Sequence, residues 1–159
     1  MSQNGPRDGA RTAARGTSGL RANSLAAVVM LLIQYGLGMW VNLYAQLPAS
    51  DHGKGVFAAF GGAVADGPVA LAVHALLGTL LLVTAISVVA RAAIARKNAS
   101  TVIGTIALLT VVAAWLSGAR FAGDTSNSAS FGMAAATAVA LLGYATILFL
   151  PGQAGRPGR

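Results

Sequence analysis

One histidine stands inside an uncharged apolar run, and it is the residue best suited to carry chemistry in this sequence. His74 lies in the stretch 68–90, which contains no Lys, Arg, Asp or Glu. About 20 apolar residues span the core of a bilayer as a helix, and an ionisable residue within such a span is by default a functional-site hypothesis. The alternative is a structural His74 that is neutral and hydrogen-bonded to Asn42, to Ser117 or to a backbone carbonyl.

Two methionines suggest a second hypothesis for His74, namely that it ligates haem iron. Iron in a helical bundle needs one or two axial ligands, usually His or Met, and Met39 and Met133 are expected near the depth of His74. The other histidine, His52, falls in a predicted loop, so the sequence lacks the usual pair of membrane histidines. Methionines in helices serve mostly in packing. Haem is therefore an alternative prediction, with His74, Met39 and Met133 as candidate ligands, and no cofactor is demonstrable.

A polar stripe on the preceding apolar run is expected to face the same region. Gln34, Gly38, Asn42 and Gln46 recur every four residues, so each step drifts by only about 40° around a helix. Lipid offers polar side chains no partners, and the stripe should therefore face other helices. Together with Ser117 of a later run, its polar members form a predicted intramembrane cluster.

The sequence offers no constellation typical of an enzyme. No carboxylate lies within an apolar run, so neither paired acids nor a Ser–His–Asp triad can form there. The absence of cysteine excludes thiolate metal ligands and iron–sulfur clusters. Acidic residues and His52 are scattered over the predicted loops without the spacing of a metal site. We therefore predict no catalytic residue and no metal site, and a non-enzyme is favoured.

Four apolar runs must position these residues. Only 9% of the residues are charged, against about 25% in an average soluble domain. The net charge of +7 lies in tails and loops, so a nucleic-acid partner is not expected. We predict an all-α fold, an integral membrane four-helix bundle, with transmembrane helices at 25–47, 68–90, 101–119 and 131–150.

The segments between these runs are polar or rich in glycine. Residues 1–23 have almost no large apolar side chain and are predicted to form a disordered cytoplasmic tail. The external 48–67 loop contains five glycines, and its 56–64 stretch fits either a short interfacial helix or a flexible loop. The other connections are predicted to be a cytoplasmic 91–100 turn, an external 120–130 loop and a cytoplasmic 151–159 tail.

The distribution of Lys and Arg predicts the orientation of the bundle. Nine of the eleven lie in the two tails and the 91–100 turn, whereas Lys54 and Arg120 lie in the other two loops. Cytoplasmic loops carry the excess of Lys and Arg. Both termini are therefore predicted to lie in the cytoplasm, and the Ala-, Gly- and Arg-rich composition suggests a bacterial plasma membrane.

Small residues predict close contacts between helices. Gly132, Ala136 and Ala140 form a small-xxx-small ridge on the fourth run, and Gly78 follows His74 by about one helical turn. Such residues let helix backbones approach closely. The ridge could also bind a membrane-protein partner or a second copy of the chain.

Three short motifs carry a resemblance to known proteins: QYGLG at 34–38, VNLYAQLP at 41–48 and HALLG at 74–78. Through them, residues 25–150 resemble small four-span bacterial inner-membrane proteins of uncharacterised function. This resemblance implies a fold and a membrane location, and no assigned activity. More distantly, the chain is similar to four-helix haem-handling membrane proteins, whose histidines also lie near helix starts.

These features favour a structural or accessory membrane protein that binds partners through its helices. One alternative is a haem- or quinone-binding redox protein with His74 at its site. A second alternative is a small-solute or proton-linked transporter.

Overall fold

The part of the chain that the computed structural model describes is all-helical. It comprises residues 6–44, 53, 55–124 and 126–150, without the side chains of residues 6–17 and of Asp124. Its helices are α1 (Pro6–Tyr44), α2 (Val56–Ala65), α3 (Val69–Ile94), α4 (Asn98–Asp124) and α5 (Asn127–Phe149). The four long helices overlap the four predicted apolar runs, of which residues 45–47 lie outside the described part, and α2 is the short helix considered for the 48–67 loop.

The four long helices pack into a ring. α1 lies against α3 and α5, and α4 also lies against α3 and α5. The short α2 packs on α3 and α4, at the end of the bundle where α3 begins and α4 ends. There Gly53 N donates a backbone hydrogen bond to Gly123 O at 3.1 Å. The architecture is a four-helix bundle with a fifth, short helix at one end.

Four stretches of these helices are long and apolar enough to cross a membrane: Ser18–Tyr44, Val69–Ile94, Asn98–Gly123 and Asn127–Phe149. Their outward faces carry large apolar side chains such as Leu32, Leu109 and Leu142, each more than half exposed. Soluble monomers rarely expose wide apolar surfaces of this kind. Length, composition and exposure together fit a multi-pass membrane protein.

The N-terminal segment differs from its prediction. α1 begins at Pro6, so residues 6–23 are helical where a disordered tail was predicted, and residues 1–5 lie outside the described part. Leu20 is buried in the main hydrophobic cluster. A helix that is already nucleated adds further residues at little cost. The helix of the first apolar run therefore extends backwards through a segment whose composition alone argues against order.

The two ends of the bundle are packed differently. The half that contains the α3–α4 turn, here called the packed half, holds the main buried cluster: Leu20, Ala27, Leu31, Leu81, Ala85, Val88, Ala92, Ala107, Val111, Ala140, Tyr144 and Ile147. The half that carries α2, here called the open half, has a smaller buried cluster of Val41, Ala63 and Leu71. A cavity occupies the rest of the open half.

Candidate ligand-binding site

A cavity of about 120 Å³ lies among the five helices in the open half. Its walls come from the end of α1, the start of α3, the end of α4 and the start of α5, with Phe60 and Ala63 of α2 closing one side. The walls are mostly apolar. An engineered apolar cavity of about 150 Å³ binds benzene, so the space in this bundle suits a molecule about the size of one ring.

The cavity brings together several residues that the sequence singled out on separate helices. Its lining includes Gln34, Met39 and Asn42 of α1, His74 and Gly78 of α3, and Met133 of α5. Their convergence follows from the ring of helices, because each of them lies in the half of its own helix that is nearest to α2.

Two further members of the predicted polar cluster lie elsewhere. Gln46 is outside the described residues. Ser117 is not part of the lining and lies instead at the α4–α5 contact, where a Cβ placed on Gly132 would lie 3.4 Å from its Oγ.

Where α1 and α3 cross, Gln34 of α1 lies against Gly78 of α3, and His74 of α3 lies against Gly38 of α1. A Cβ placed on Gly78 would lie 2.9 Å from Gln34 Nε2, and one placed on Gly38 would lie 3.1 Å from His74 Cε1. Each polar residue precedes the glycine of its own helix by four positions. The two antiparallel helices thus exchange polar side chains at one contact, here called the Gln34–His74 crossing. The missing Cβ atoms provide the room for it.

A hydrogen bond fixes the orientation of Gln34 in this crossing. Its Nε2 donates to the backbone carbonyl of His74 at 2.8 Å, which directs the other amide atom, Oε1, away from that carbonyl. Both Gln34 Oε1 and His74 Nδ1 are buried, and neither has a hydrogen-bond partner in the described part of the chain. A buried polar group without a partner costs about 1–3 kcal/mol. The two residues that carry these unpartnered atoms both line the cavity.

The structural role predicted for the His74 ring stays a prediction. The carbonyl of His74 accepts the bond from Gln34, while the ring atom Nδ1 does not bond to Asn42, Ser117 or a carbonyl within the described residues. Asn42 is engaged elsewhere, because its Oδ1 accepts a hydrogen bond from Ser130 Oγ at 3.4 Å. That contact joins α1 to α5 beside the cavity.

An aromatic cluster forms the wall on the side of α2 and α4. The ring centroid of Trp115 lies 5.2 Å from that of Phe60 and 6.2 Å from that of Phe57, and its Nε1 donates to Thr79 Oγ1 at 3.4 Å. Phe60 was not among the predicted site residues. The signal that could have found it is the helical spacing of Phe57 and Phe60 in a stretch for which a short helix was considered.

Both methionines named as haem ligands line the cavity with His74. Met39 is 45% exposed, and Met133 packs close to α4, since a Cβ placed on Gly118 would lie 3.3 Å from its Sδ. Within the described residues, no group of three or more His, Cys, Asp or Glu side chains could hold a metal ion. Haem ligation by these residues stays a prediction.

The predicted small-residue ridge of α5 lies partly in the packed half. Ala140 is fully buried, whereas Gly132 and Ala136 are half-buried. Of the two glycines on this helix, Gly143 lies closer to α4, since an added Cβ there would lie 3.0 Å from the Cβ of Ala107. The contact of α4 with α5 is therefore closed by small residues facing each other.

Neither the known family models, nor the curated proteins, nor the solved structures include a match to this chain. The resemblance to four-span bacterial inner-membrane proteins stays a prediction. Function has to be inferred from the cavity, the helices and the charges.

Proposed function

We propose that this chain is a multi-pass protein of the bacterial plasma membrane that binds the ring of a quinone-class molecule in the cavity of its open half. Both termini would lie in the cytoplasm. The observation that carries the proposal is a cavity of single-ring size lined by Gln34 and His74, whose atoms Gln34 Oε1 and His74 Nδ1 are buried without partners in the described chain.

Charge supports the membrane orientation. Arg91, Arg96 and Lys97 cluster at the α3–α4 turn, and Arg21 lies on α1 at the same end of the bundle. The α1 and α3 helices meet there, since a Cβ placed on Gly19 would lie 2.8 Å from Arg91 Nη1. Cytoplasmic ends of membrane proteins carry such an excess of Lys and Arg. The packed half would then lie on the cytoplasmic side and the cavity in the outer half.

The shape and chemistry of the cavity support a quinone-class ligand. Such a molecule has one small ring with polar oxygens and an apolar tail that dissolves in lipid. Apolar walls with a few placed polar groups are the usual design of small-molecule sites. The volume favours a single ring over a haem macrocycle, which is built from four pyrrole rings.

The other predicted roles stay predictions. An accessory role would use the outer faces of the helices, and no described contact points to a partner there. Transport would require the packed half to open as well, and its interior is filled by side chains such as Val88 and Tyr144, both fully buried.

Tryptophan fluorescence tests the proposed function, because the chain has two tryptophans in different surroundings. Trp115 lines the cavity, whereas Trp40 is 58% exposed and does not line it. The Trp40→Phe variant, in nanodiscs, would be titrated with a short-chain quinone, which quenches indole fluorescence on contact. We expect saturable quenching of Trp115.

The matched control is Trp115→Phe, in which only Trp40 fluoresces. Quinone dissolved in the lipid should quench Trp40 in proportion to its concentration, without saturation. Non-saturable quenching in both variants would overturn the proposed function.

A further inference from the structure

We infer that the cavity engages its ligand through a hydroxyl group, so that it prefers a quinol or another phenol to the corresponding quinone. This inference rests on the proposed function and specifies the form of the ligand that the proposal leaves open. It starts from the two atoms that the Gln34–His74 crossing leaves without partners among the described residues, Gln34 Oε1 and His74 Nδ1.

The first requirement comes from Gln34. Its amide nitrogen already donates to the carbonyl of His74 at 2.8 Å, and this bond identifies the remaining atom as the oxygen. An amide oxygen only accepts hydrogen bonds. A quinone carbonyl also only accepts, so it leaves Oε1 unsatisfied. A hydroxyl group can donate to it.

The second requirement comes from His74. In neutral imidazole, Nδ1 is a donor in one tautomer and an acceptor in the other. A hydroxyl has one donor hydrogen and two acceptor lone pairs, so once it donates to Gln34 Oε1 it satisfies Nδ1 by accepting from the Nδ1–H tautomer. A carbonyl can also accept from that tautomer but cannot donate to Oε1, and an unsubstituted hydrocarbon ring can do neither. The hydroxyl is therefore the group that suits both atoms of the crossing.

Three other polar side chains of the lining make hydrogen bonds within the protein. Trp115 Nε1 donates to Thr79, Asn42 Oδ1 accepts from Ser130, and Thr137 Oγ1 donates to the carbonyl of Met133 at 2.8 Å. Each of these groups has its hydrogen bond within the protein. Among the buried polar side-chain atoms of the described lining, the two without a partner are therefore those of the Gln34–His74 crossing, and the apolar walls receive the ring.

Ligand-observed fluorine NMR tests this inference with three probes of similar size. 4-Fluorophenol carries a hydroxyl, 4-fluoroanisole keeps an acceptor oxygen without the donor, and 4-fluorotoluene has a methyl group instead. Each would be titrated into the full-length protein in nanodiscs, with protein-free nanodiscs correcting for partition into lipid. One hydrogen bond between neutral groups contributes about 1 kcal/mol, or roughly fivefold in affinity. We expect 4-fluorophenol to bind roughly fivefold more tightly than the other two.

Variants locate the hydroxyl within the cavity. Gln34→Met keeps an unbranched side chain of the same length and removes the amide, so it should abolish the preference for 4-fluorophenol. Thr84→Val is the matched control, because Thr84 bonds to the carbonyl of Leu80 and to Met30 Sδ and does not line the cavity. It should leave the preference unchanged.

The outcomes separate the two proposals. Equal binding of all three probes would overturn the preference for a hydroxyl and leave the cavity as a ring-binding site. A preference that survives Gln34→Met would overturn the role of Gln34. If no probe binds above the protein-free control and the quinone titration of Trp115 also fails to saturate, the proposed function itself is wrong.

Discussion

The packed half and the open half are built from the same four long helices, yet their glycines have opposite effects. In the packed half, Gly143 faces Ala107, and the two backbones come together over small side chains. In the open half, Gly38 and Gly78 face the larger side chains of His74 and Gln34. A glycine thus closes an interface when it meets another small residue, and admits a polar side chain when it meets a large one. The size of the side chain on the opposing helix therefore decides whether a glycine contributes to a packed core or to a binding site.

The largest expected effect concerns the side of the membrane on which each half lies. A reporter fused after Asn98, at the packed end, should report the cytoplasm, and one fused after Asp66, at the open end, should report the outside, because Lys and Arg are concentrated at the packed end. Alkaline phosphatase and a fluorescent protein give complementary signals. An external signal at Asn98 would reverse the assignment of the two halves.

The next effect tests the close contact of the packed half. Gly143→Leu places a bulky side chain where even a Cβ would lie 3.0 Å from Ala107, so it should lower the free energy of unfolding by about 1–3 kcal/mol. Denaturant unfolding in detergent measures this loss. Gly36→Leu is the matched control, since an added Cβ there meets no atom within 4 Å. An equal loss in both variants would argue against a tight contact at Gly143.

In the open half, we expect a substitution at Gly78 to change stability only slightly and ligand binding more. In Gly78→Ala the new Cβ would lie 2.9 Å from Gln34 Nε2, which is the end of a flexible side chain that can move aside. Unfolding should change by less than about 1 kcal/mol, near the contribution of one hydrogen bond. The preference for 4-fluorophenol in the fluorine NMR titration should weaken, because Gln34 Oε1 is displaced. An unchanged preference would separate the ligand from the crossing.

The smallest effect is expected from an unpartnered atom in the packed half. Tyr144 is fully buried, and its hydroxyl has no partner among the residues that the structure describes. Tyr144→Phe removes that hydroxyl and keeps the ring, so unfolding should be unchanged or become less favourable by about 1 kcal/mol. Ligand binding should not change. A destabilised Tyr144→Phe protein would show that the Tyr144 hydroxyl has a hydrogen-bond partner.

The sequence by itself determined the four long helices and several candidate residues of the binding site. Helix length and apolar character are local properties, so the four long helices could be predicted from uncharged runs, although the backward extension of α1 through residues 6–23 could not. The four-residue spacing on α1 places Gln34, Gly38 and Asn42 along one side of a helix, and an ionisable residue in an apolar run drew attention to His74. These residues do line one cavity.

Only the tertiary structure decided which atoms are left for a ligand. The bond from Gln34 Nε2 to the carbonyl of His74, and the placement of each side chain on the glycine of the other helix, depend on how α1 is shifted along α3. The aromatic wall at Trp115 likewise depends on where α2 folds back. Spacing within one helix cannot encode these relations, because sliding two helices past each other by one turn preserves every local pattern and changes every partner.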